Sequence, residues 1–217
     1  TVLDYASLYP SSMISENLSH DSIVLDEKYL GDEGIERLKK LGFGYVDITH
    51  DVFKWKDPKI KSKGKEKIGV KTCRFVQPPN EEKSIIPKIL MKLLKARKET
   101  RGKIKTAETE FTKGVLDGLQ LAYKLTANSL YGQIGAKTSP INMKDIAAST
   151  TAVGRGLLNL AKTKTIERFP EAEIVYGDTD SIFINYNPKD DDGNELEGRE
   201  ALKKSIDMGV ETENYIR

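Results

Sequence analysis

The sequence predicts an α+β fold. Two observations carry it: strand-patterned apolar runs, "TVLDYASLYP" and "EIVYGDTDSIFINY", stand at either end of the chain, and stretches of helical periodicity fill much of the space between them. A chain of 217 residues is long enough to bury a real core as one large domain or two small ones.

In order, "TVLDYASLYPSSMI" reads as a short strand, a turn at Pro10 and a helix start for which Ser11 or Ser12 is the cap. Residues 18–80 are mixed. Within them "GFGYVDITHDVFKW" alternates as strands do, and "DPKIKSKGKEK" is a polar, Gly- and Lys-rich loop expected to be exposed and mobile. "QPPNEEKS" breaks the chain before a helix from about Ile85 to Glu108, with Pro87 in the first turn, where a missing N–H costs nothing. A second helix is expected from about Gly114 to Tyr131, closed by Gly132 and Gly135. The third, about Met143 to Arg168, is rich in Ala and Thr and interrupted by Gly154 and Gly156. "AEIVYGDTDSIFINY" then makes two strands around a tight turn, "NPKDDDGNELEG" an acidic loop, and "REALKKSIDMGVETENYI" a last helix.

Composition narrows the class. The 38% hydrophobic and 31% charged content excludes a membrane-spanning chain, and no apolar run approaches the roughly 20 residues a bilayer requires. The opening segment has no basic leader of the signal-peptide kind. Both ends read as those of a piece cut from a longer polypeptide. A single cysteine, Cys73, rules out an internal disulfide and fits a reducing compartment. A net charge of +2 is too small to imply nucleic acid, so the placement of the charges decides.

Asp178 and Asp180 fall at the hairpin tip, on the same side if the backbone stays extended. "GDTD" is also ordinary turn chemistry. Two close carboxylates repel unless a cation sits between them, and Mg²⁺, a hard ion ligated by oxygen, resolves that conflict. A further carboxylate is then expected, and Asp4, at the end of an apolar strand beside a turn, is the best candidate. Asp4 and Asp180 could bridge two ions about 3.5–4 Å apart, the arrangement of in-line phosphoryl transfer. On the second helix Lys124, Asn128 and Tyr131 share one stripe, with Val115, Leu119, Ala122 and Leu130 roughly opposite. That polar stripe is either a solvated face or the approach to something large and flat. On the first helix Ile86, Leu90, Leu93 and Leu94 form an apolar stripe, while Lys88, Lys92 and Lys95 take the far side. Arg97 and Arg101 continue the apolar stripe, so they either emerge beyond the core or meet a desolvated anion, to which planar guanidinium groups are suited.

Together these segments resemble the catalytic core of a family B (polymerase α-like) DNA-directed DNA polymerase. "DYASLYPS" from Asp4 to Ser11 resembles motif A, "KLTANSLYG" from Lys124 to Gly132 is similar to motif B, and "YGDTDS" from Tyr176 to Ser181 matches motif C, with a "KARK" helix between the first two. "CRFVQPPNEEKSIIPKIL" and "GAKTSPINMKDIAASTTAVGR" further resemble the polymerases of large nucleocytoplasmic DNA viruses. Tyr5 for the usual Phe and Ser12 for a common Ile depart from the pattern, and Arg101 stands where the family often has lysine.

The resemblance implies an antiparallel-sheet palm over 1–84 and 136–217, with an antiparallel helical fingers hairpin inserted over 85–135. It implies Asp4, Asp178 and Asp180 as catalytic carboxylates, and two Mg²⁺ ions held by Asp4, Asp180 and the backbone of Tyr5. Ser7, Leu8, Tyr9, Arg97, Arg101, Lys124 and Asn128 are implied as nucleotide ligands, with Tyr9 under the incoming sugar where its ring leaves no room for a 2′-hydroxyl. Tyr131 and Gly132 are implied at the nascent base pair. The partners it implies are primer-template DNA, deoxynucleoside triphosphates and a processivity clamp, in an intracellular setting: the host nucleus or a cytoplasmic replication site if the source is viral. It finds no counterpart here for the exonuclease motifs, a "KKRY"-like primer grip or the thumb, so the segment by itself is expected to be inactive. An RNA-dependent polymerase or reverse transcriptase shares paired aspartates but not "SLYP" or "KLTANSLYG"; a catalytically silent DNA-binding module is disfavoured by the intact carboxylates. No role falls to Arg155 or Cys73.

Overall fold

The structure, a computed structural model, describes residues 1–57, 59–60, 62, 64–190 and 192–216. Pro58, Lys61 and Lys63 of the expected lysine loop, and Asp191 of the acidic loop, lie outside the described residues. In chain order the elements are β1 (Val2–Asp4), α1 (Leu8–Ser15), α2 (Gly31–Lys40), β2 (Gly44–Trp55), β3 (Lys65–Gln77), α3 (Ile85–Thr106), α4 (Glu110–Gly135), α5 (Lys144–Arg168), β4 (Glu173–Asp178), β5 (Ser181–Asn185) and α6 (Gly198–Ile216). Helices and antiparallel sheets together make the α+β architecture that the sequence predicts. The chain divides into two compact units, residues 1–8 with 153–217 and residues 9–152.

The first unit is built on an antiparallel sheet in the order β1-β5-β4. Its central strand alternates strictly: Ile182 and Ile184 are buried, while Ser181, Phe183 and Asn185 face outward. The two isoleucines join Ala161, Ala172 and Tyr186 in a core flanked by Leu3, Leu158, Phe169, Ile174, Met208 and Ile216. Each isoleucine buried there is worth about 1.5–3 kcal/mol. Tyr186 is anchored at both ends, its ring edge-on to Phe169 with centroids 5.3 Å apart and its hydroxyl 2.7 Å from Thr212 Oγ1.

The second unit holds two hairpins. β2 and β3 pair antiparallel along their length, although only residues near Ile48, His50 and Cys73–Phe75 are buried. Farther out the ladder is held by exposed pairs: Thr49 with Thr72, Asp51 with Lys67 at 2.7 Å, and Lys65 over the Trp55 ring. Arg74 is the polar centre of this region. Its guanidinium takes both Asp47 oxygens at 2.8 and 2.7 Å, donates to the carbonyls of Tyr29 and Gly31, and stacks on Tyr45.

α3 and α4 form the other hairpin, joined by residues 107–109. The first amides of α3 are capped by the loop that follows α1: Asn17 Oδ1 accepts from Ser84 N at 2.7 Å, Asp21 from Ile85 N at 3.2 Å, and Ser19 Oγ from Ile86 N at 3.3 Å. Downstream the expected stripe is present: Ile86 and Leu90 are buried, Leu93 and Leu94 half-buried, and Lys88, Lys92 and Lys95 exposed.

Several elements differ from expectation, each for a physical reason. α1 contains Pro10, Ser11 and Ser12 instead of starting after them. Pro10 is its third residue, where the missing N–H has no intrahelical partner to lose, and the bend falls earlier, at Ser7 with φ +55°. α4 begins at Glu110 because the Thr109 side chain caps it through Thr112 N, and it continues through Gly132 before ending at Gly135. Val115 and Leu119, expected opposite the polar stripe, are exposed at 56% and 42%; α4 buries Ala127 and Ile134. α5 runs unbroken past Gly154 and Gly156, since a helical glycine costs only about 1 kcal/mol.

Candidate functional site

The acidic group is set by strand register in the first unit. Asp4 closes β1 and Asp178 closes β4, and each stands directly opposite Ser181, the first residue of the strand between them. Cross-strand partners project to the same face, so Asp4, Ser181 and Asp178 lie side by side on the outward face of the sheet. Two strand spacings separate the two aspartate backbones, about 9–10 Å. Asp180 follows Asp178 in the two-residue turn Thr179–Asp180 that leads into β5, and its carbonyl accepts from Tyr5 N at 2.8 Å.

This register depends on a bulge. Ile174 pairs with Ile184 but Tyr176 with Phe183, so Val175 is the extra residue. Beyond it the parity of β4 reverses. Tyr176 therefore packs edge-on against outward-facing Phe183, Gly177 falls opposite buried Ile182, and Asp178 turns outward. The extended-chain condition for Asp178 and Asp180 to share a side is not met, because the strand ends at Asp178 and Asp180 belongs to the turn. Asp4 and Asp178 are exposed and Asp180 is half-buried. The buried apolar residues of these strands belong to the inward face, and the carboxylates sit where β1, β5 and β4 open to solvent.

Tyr5 fastens this edge. Its N–H is committed to Asp180, and its half-buried hydroxyl donates to the Leu157 carbonyl at 2.9 Å. Burial raises the pKa of that hydroxyl. Leu8 is buried at 3%, whereas Ser7 is half-buried.

The cationic and aromatic candidates gather in the second unit. Lys124 and Asn128 are exposed one turn apart on α4, and Tyr131 follows on the same stripe. Tyr131 stacks on Tyr9 of α1, centroids 4.5 Å apart and planes tilted by 35°. Arg97 is half-buried, and its Nε donates to Gln120 Oε1 at 3.2 Å. Gln120 extends the same stripe one turn toward the start of α4, and its amide nitrogen donates to Asp117. The stripe thus runs Gln120, Lys124, Asn128, Tyr131, about 16 Å from end to end, with Arg97 tied to one end and Tyr9 stacked on the other. Arg101, one turn past Arg97, is exposed, so of the two alternatives it emerges beyond the core. A Cβ at Gly132 would meet nothing within 4 Å.

Sequence reasoning missed Gln120, Ser181 and Gly177. The i−4 spacing from Lys124 was a legible signal for Gln120. For Gly177 there was none: a Cβ there would come within 3.4 Å of the Lys162 ammonium, a neighbour supplied by α5.

The fold and this distribution of groups define an α+β protein with an acidic sheet edge in one unit and a cation-bearing helical hairpin in the other. A family model described as DNA polymerase family B matches residues 1–208, and the chain belongs to that family. It is 46% identical to a DNA polymerase of Pyramimonas orientalis virus, over all of this chain and 20% of the relative. It is 40% identical to one of Phaeocystis pouchetii virus, over 95% of this chain and 22% of that protein. A DNA polymerase delta catalytic subunit of Arabidopsis thaliana is 32% identical over 93% of this chain and 16% of its own length. Among solved structures, the family B DNA polymerase of the archaeon Pyrobaculum calidifontis matches with a TM-score of 0.57 and 26% identity, over 97% of this chain and 22% of that one. The chain therefore spans about a fifth of the length of the curated relatives it matches. Among the described residues no helix is long and apolar enough to cross a membrane.

Proposed function

We propose that this chain is the polymerising core of a DNA-directed DNA polymerase, with palm over 1–84 and 136–217 and fingers over 85–135, working in intracellular, viral DNA replication. The observation that carries the reading is the shared register of Asp4 and Asp178 opposite Ser181, with Asp180 in the adjoining turn. Asp4 and Asp178 present hard oxygen donors on one face, with half-buried Asp180 in the adjoining turn, a donor type that suits Mg²⁺, which keeps water or phosphate oxygens in its remaining positions. Asp4 and Asp180, with the Tyr5 carbonyl, are the residues that would hold two such ions, and Asp178 is the neighbouring carboxylate. Such ions would supply Lewis acidity for the primer 3′-hydroxyl and charge stabilisation for the leaving pyrophosphate.

The remaining work falls to the chain's own side chains. Arg97, Lys124 and Asn128 bind the triphosphate, and Arg97 and Lys124 offset charge that develops during transfer, a contribution of several kcal/mol in a site from which water is excluded. Arg101 adds a more distant cation. The Tyr9 ring lies under the deoxyribose and excludes a 2′-hydroxyl. Tyr131, stacked on it, meets the nascent base pair beside Gly132, which offers no side chain in the way. A stripe with cations at one end and rings at the other matches a nucleotide, whose phosphates and base lie at opposite ends. Primer-template DNA and the deoxynucleoside triphosphates are the substrates, and a processivity clamp is the expected partner.

Asp180→Asn in the polymerase that carries this segment tests the reading. Primer extension in Mg²⁺ is expected to be nearly abolished with DNA binding retained; turnover close to wild type would remove Asp180 from the metal site.

A further inference from the structure

The proposed reaction makes no use of a second convergence of ligating atoms, in the unit formed by residues 9–152. His50 of β2, Cys73 of β3 and Asp145 in the first turn of α5 each offer one atom, a ring nitrogen, a sulfur and a carboxylate oxygen, all within 4.8 Å of one another. The pairing explains why. Ile48 stands opposite Cys73 and His50 opposite Lys71, so His50 and Cys73 are diagonal neighbours on one face of the hairpin. His50 and Cys73 are 6% and 5% exposed, whereas Asp145 is only partly covered and leaves a path from solvent. Ser149, one turn beyond Asp145, is wholly buried; its hydroxyl makes no well-formed hydrogen bond, although it lies near enough to the Cys73 thiol to lower its pKa.

We propose that His50, Cys73 and Asp145 form a site for a borderline-soft divalent cation of the zinc class, which pins the β2–β3 hairpin to the start of α5. One nitrogen, one sulfur and one oxygen donor is a set that Zn²⁺ accepts and that Mg²⁺, which seeks oxygen alone, does not. Tetrahedral bonds of about 2.0–2.3 Å place ligand atoms about 3.5 Å apart, so the side chains need to draw in by about 1.3 Å at most. The fourth position is left to water or to the Ser149 hydroxyl, whose bonding capacity the protein alone does not fill.

Charged groups surround the site. The groups facing it are the His50 imidazole, the Asp145 carboxylate and the Lys71 ammonium, which donates to Asp145 Oδ2 at 2.7 Å. Burial first, and then Asp145, raise the thiol's pKa, while Lys71 and Ser149 lower it. Metal binding forms the sulfur–metal bond as the S–H bond is lost, and the proton goes to solvent, so affinity rises with pH. Lys71 is half-exposed and holds a single carboxylate oxygen, so the second oxygen can turn to the cation.

The test is to load the 217-residue chain with Co²⁺ and follow thiolate-to-cobalt charge transfer in the near ultraviolet, then displace the cobalt with Zn²⁺ and measure bound metal. Cys73 is the only cysteine, so the band reports it alone and the aspartates of the proposed active site cannot produce it. One equivalent of metal and a band bleached by Zn²⁺ are expected. Both should be lost in Cys73→Ser, and affinity should fall by more than about tenfold in Asp145→Asn, a partly exposed position whose folding is checked by circular dichroism. The absence of a cobalt band at pH 8, or an unchanged cobalt affinity in Asp145→Asn, would overturn the site.

Discussion

The rings of Tyr9 and Tyr131 lie 4.5 Å apart, which ties the helix following the first acidic motif to the last turns of α4. In the proposed function Tyr9 is the sugar gate, and its position depends on Tyr131 behind it. Tyr9→Ala should admit ribonucleotides. Tyr131→Ala should produce part of the same change, because an offset aromatic pair is worth about 0.5–1.5 kcal/mol, or roughly a twofold to tenfold loss of sugar discrimination. Tyr131→Phe keeps the ring and should leave discrimination intact. Ratios of kcat/KM for ribo- and deoxynucleotides measure all three; if Tyr131→Ala leaves the ratio untouched, the stack does not set the gate.

Gln120 is the second residue whose role is one of positioning. It holds the Arg97 side chain by a single hydrogen bond across the helical hairpin. Losing that bond should raise KM for deoxynucleotides by about fivefold in Gln120→Ala, the equivalent of about 1 kcal/mol. Arg97→Ala should cost more, about 2–3 kcal/mol, because it removes a charged hydrogen bond to phosphate. If Gln120 acts through Arg97, the double variant should resemble Arg97→Ala alone, and full additivity of the two losses in steady-state kinetics would separate the residues.

Arg74 makes a stability prediction independent of chemistry. Its side chain is 7% exposed against 33% for its partner Asp47, and the hydrogen bonds to the Asp47 carboxylate raise the guanidinium's pKa. Arg74→Leu strands a partly covered carboxylate and two carbonyls, which should cost about 3 kcal/mol. For a chain of this size that corresponds to about 6–12 °C in the melting temperature. Thermal denaturation followed by circular dichroism is the check, and a shift under about 2 °C would show that solvent replaces the pair.

The legible elements were those whose pattern is local. α3 shows because Ile86 and Leu90 repeat with helical spacing before a solvated lysine face, and the β4–β5 hairpin shows because apolar runs flank a turn. β3 did not show. Its outer half, "KEKIGVKT", is exposed on both faces, so no alternation marks it, and it is a strand because Lys67 meets Asp51 and Thr72 meets Thr49 on a partner many residues away. α2 was likewise lost in the region left as mixed. At the acidic edge, the identity of the three aspartates was readable but their facing was not, since the Val175 bulge reverses the parity of β4 and only the pairing with β5 reveals it. Gln120 was in plain view at the right spacing, but the partner that gives it meaning, Arg97, lies on another helix.

Asp21 gives the chain a pH-dependent contact at the root of α3. Burial pushes its pKa upward, but the hydrogen bonds from the Ser19 hydroxyl and Ile85 N outweigh it, and the net shift is downward. A carboxylate whose pKa falls on folding stabilises the fold above its unfolded value near 3.9, and that contribution is lost as the pH drops through the lower folded value. At neutral pH the charge also faces the positive end of the α3 dipole. Because the residue is exposed, solvent screening limits the effect to about 0.5 kcal/mol. Asp21→Asn should therefore be slightly less stable than the parent at pH 7, with the gap closing as the pH falls below the unfolded value and through the lower folded one, where both proteins carry a neutral group. Urea titrations across that range measure it; a gap that stays constant with pH would mean that the shape of the hydrogen bonds, and not the charge, secures the start of the helix.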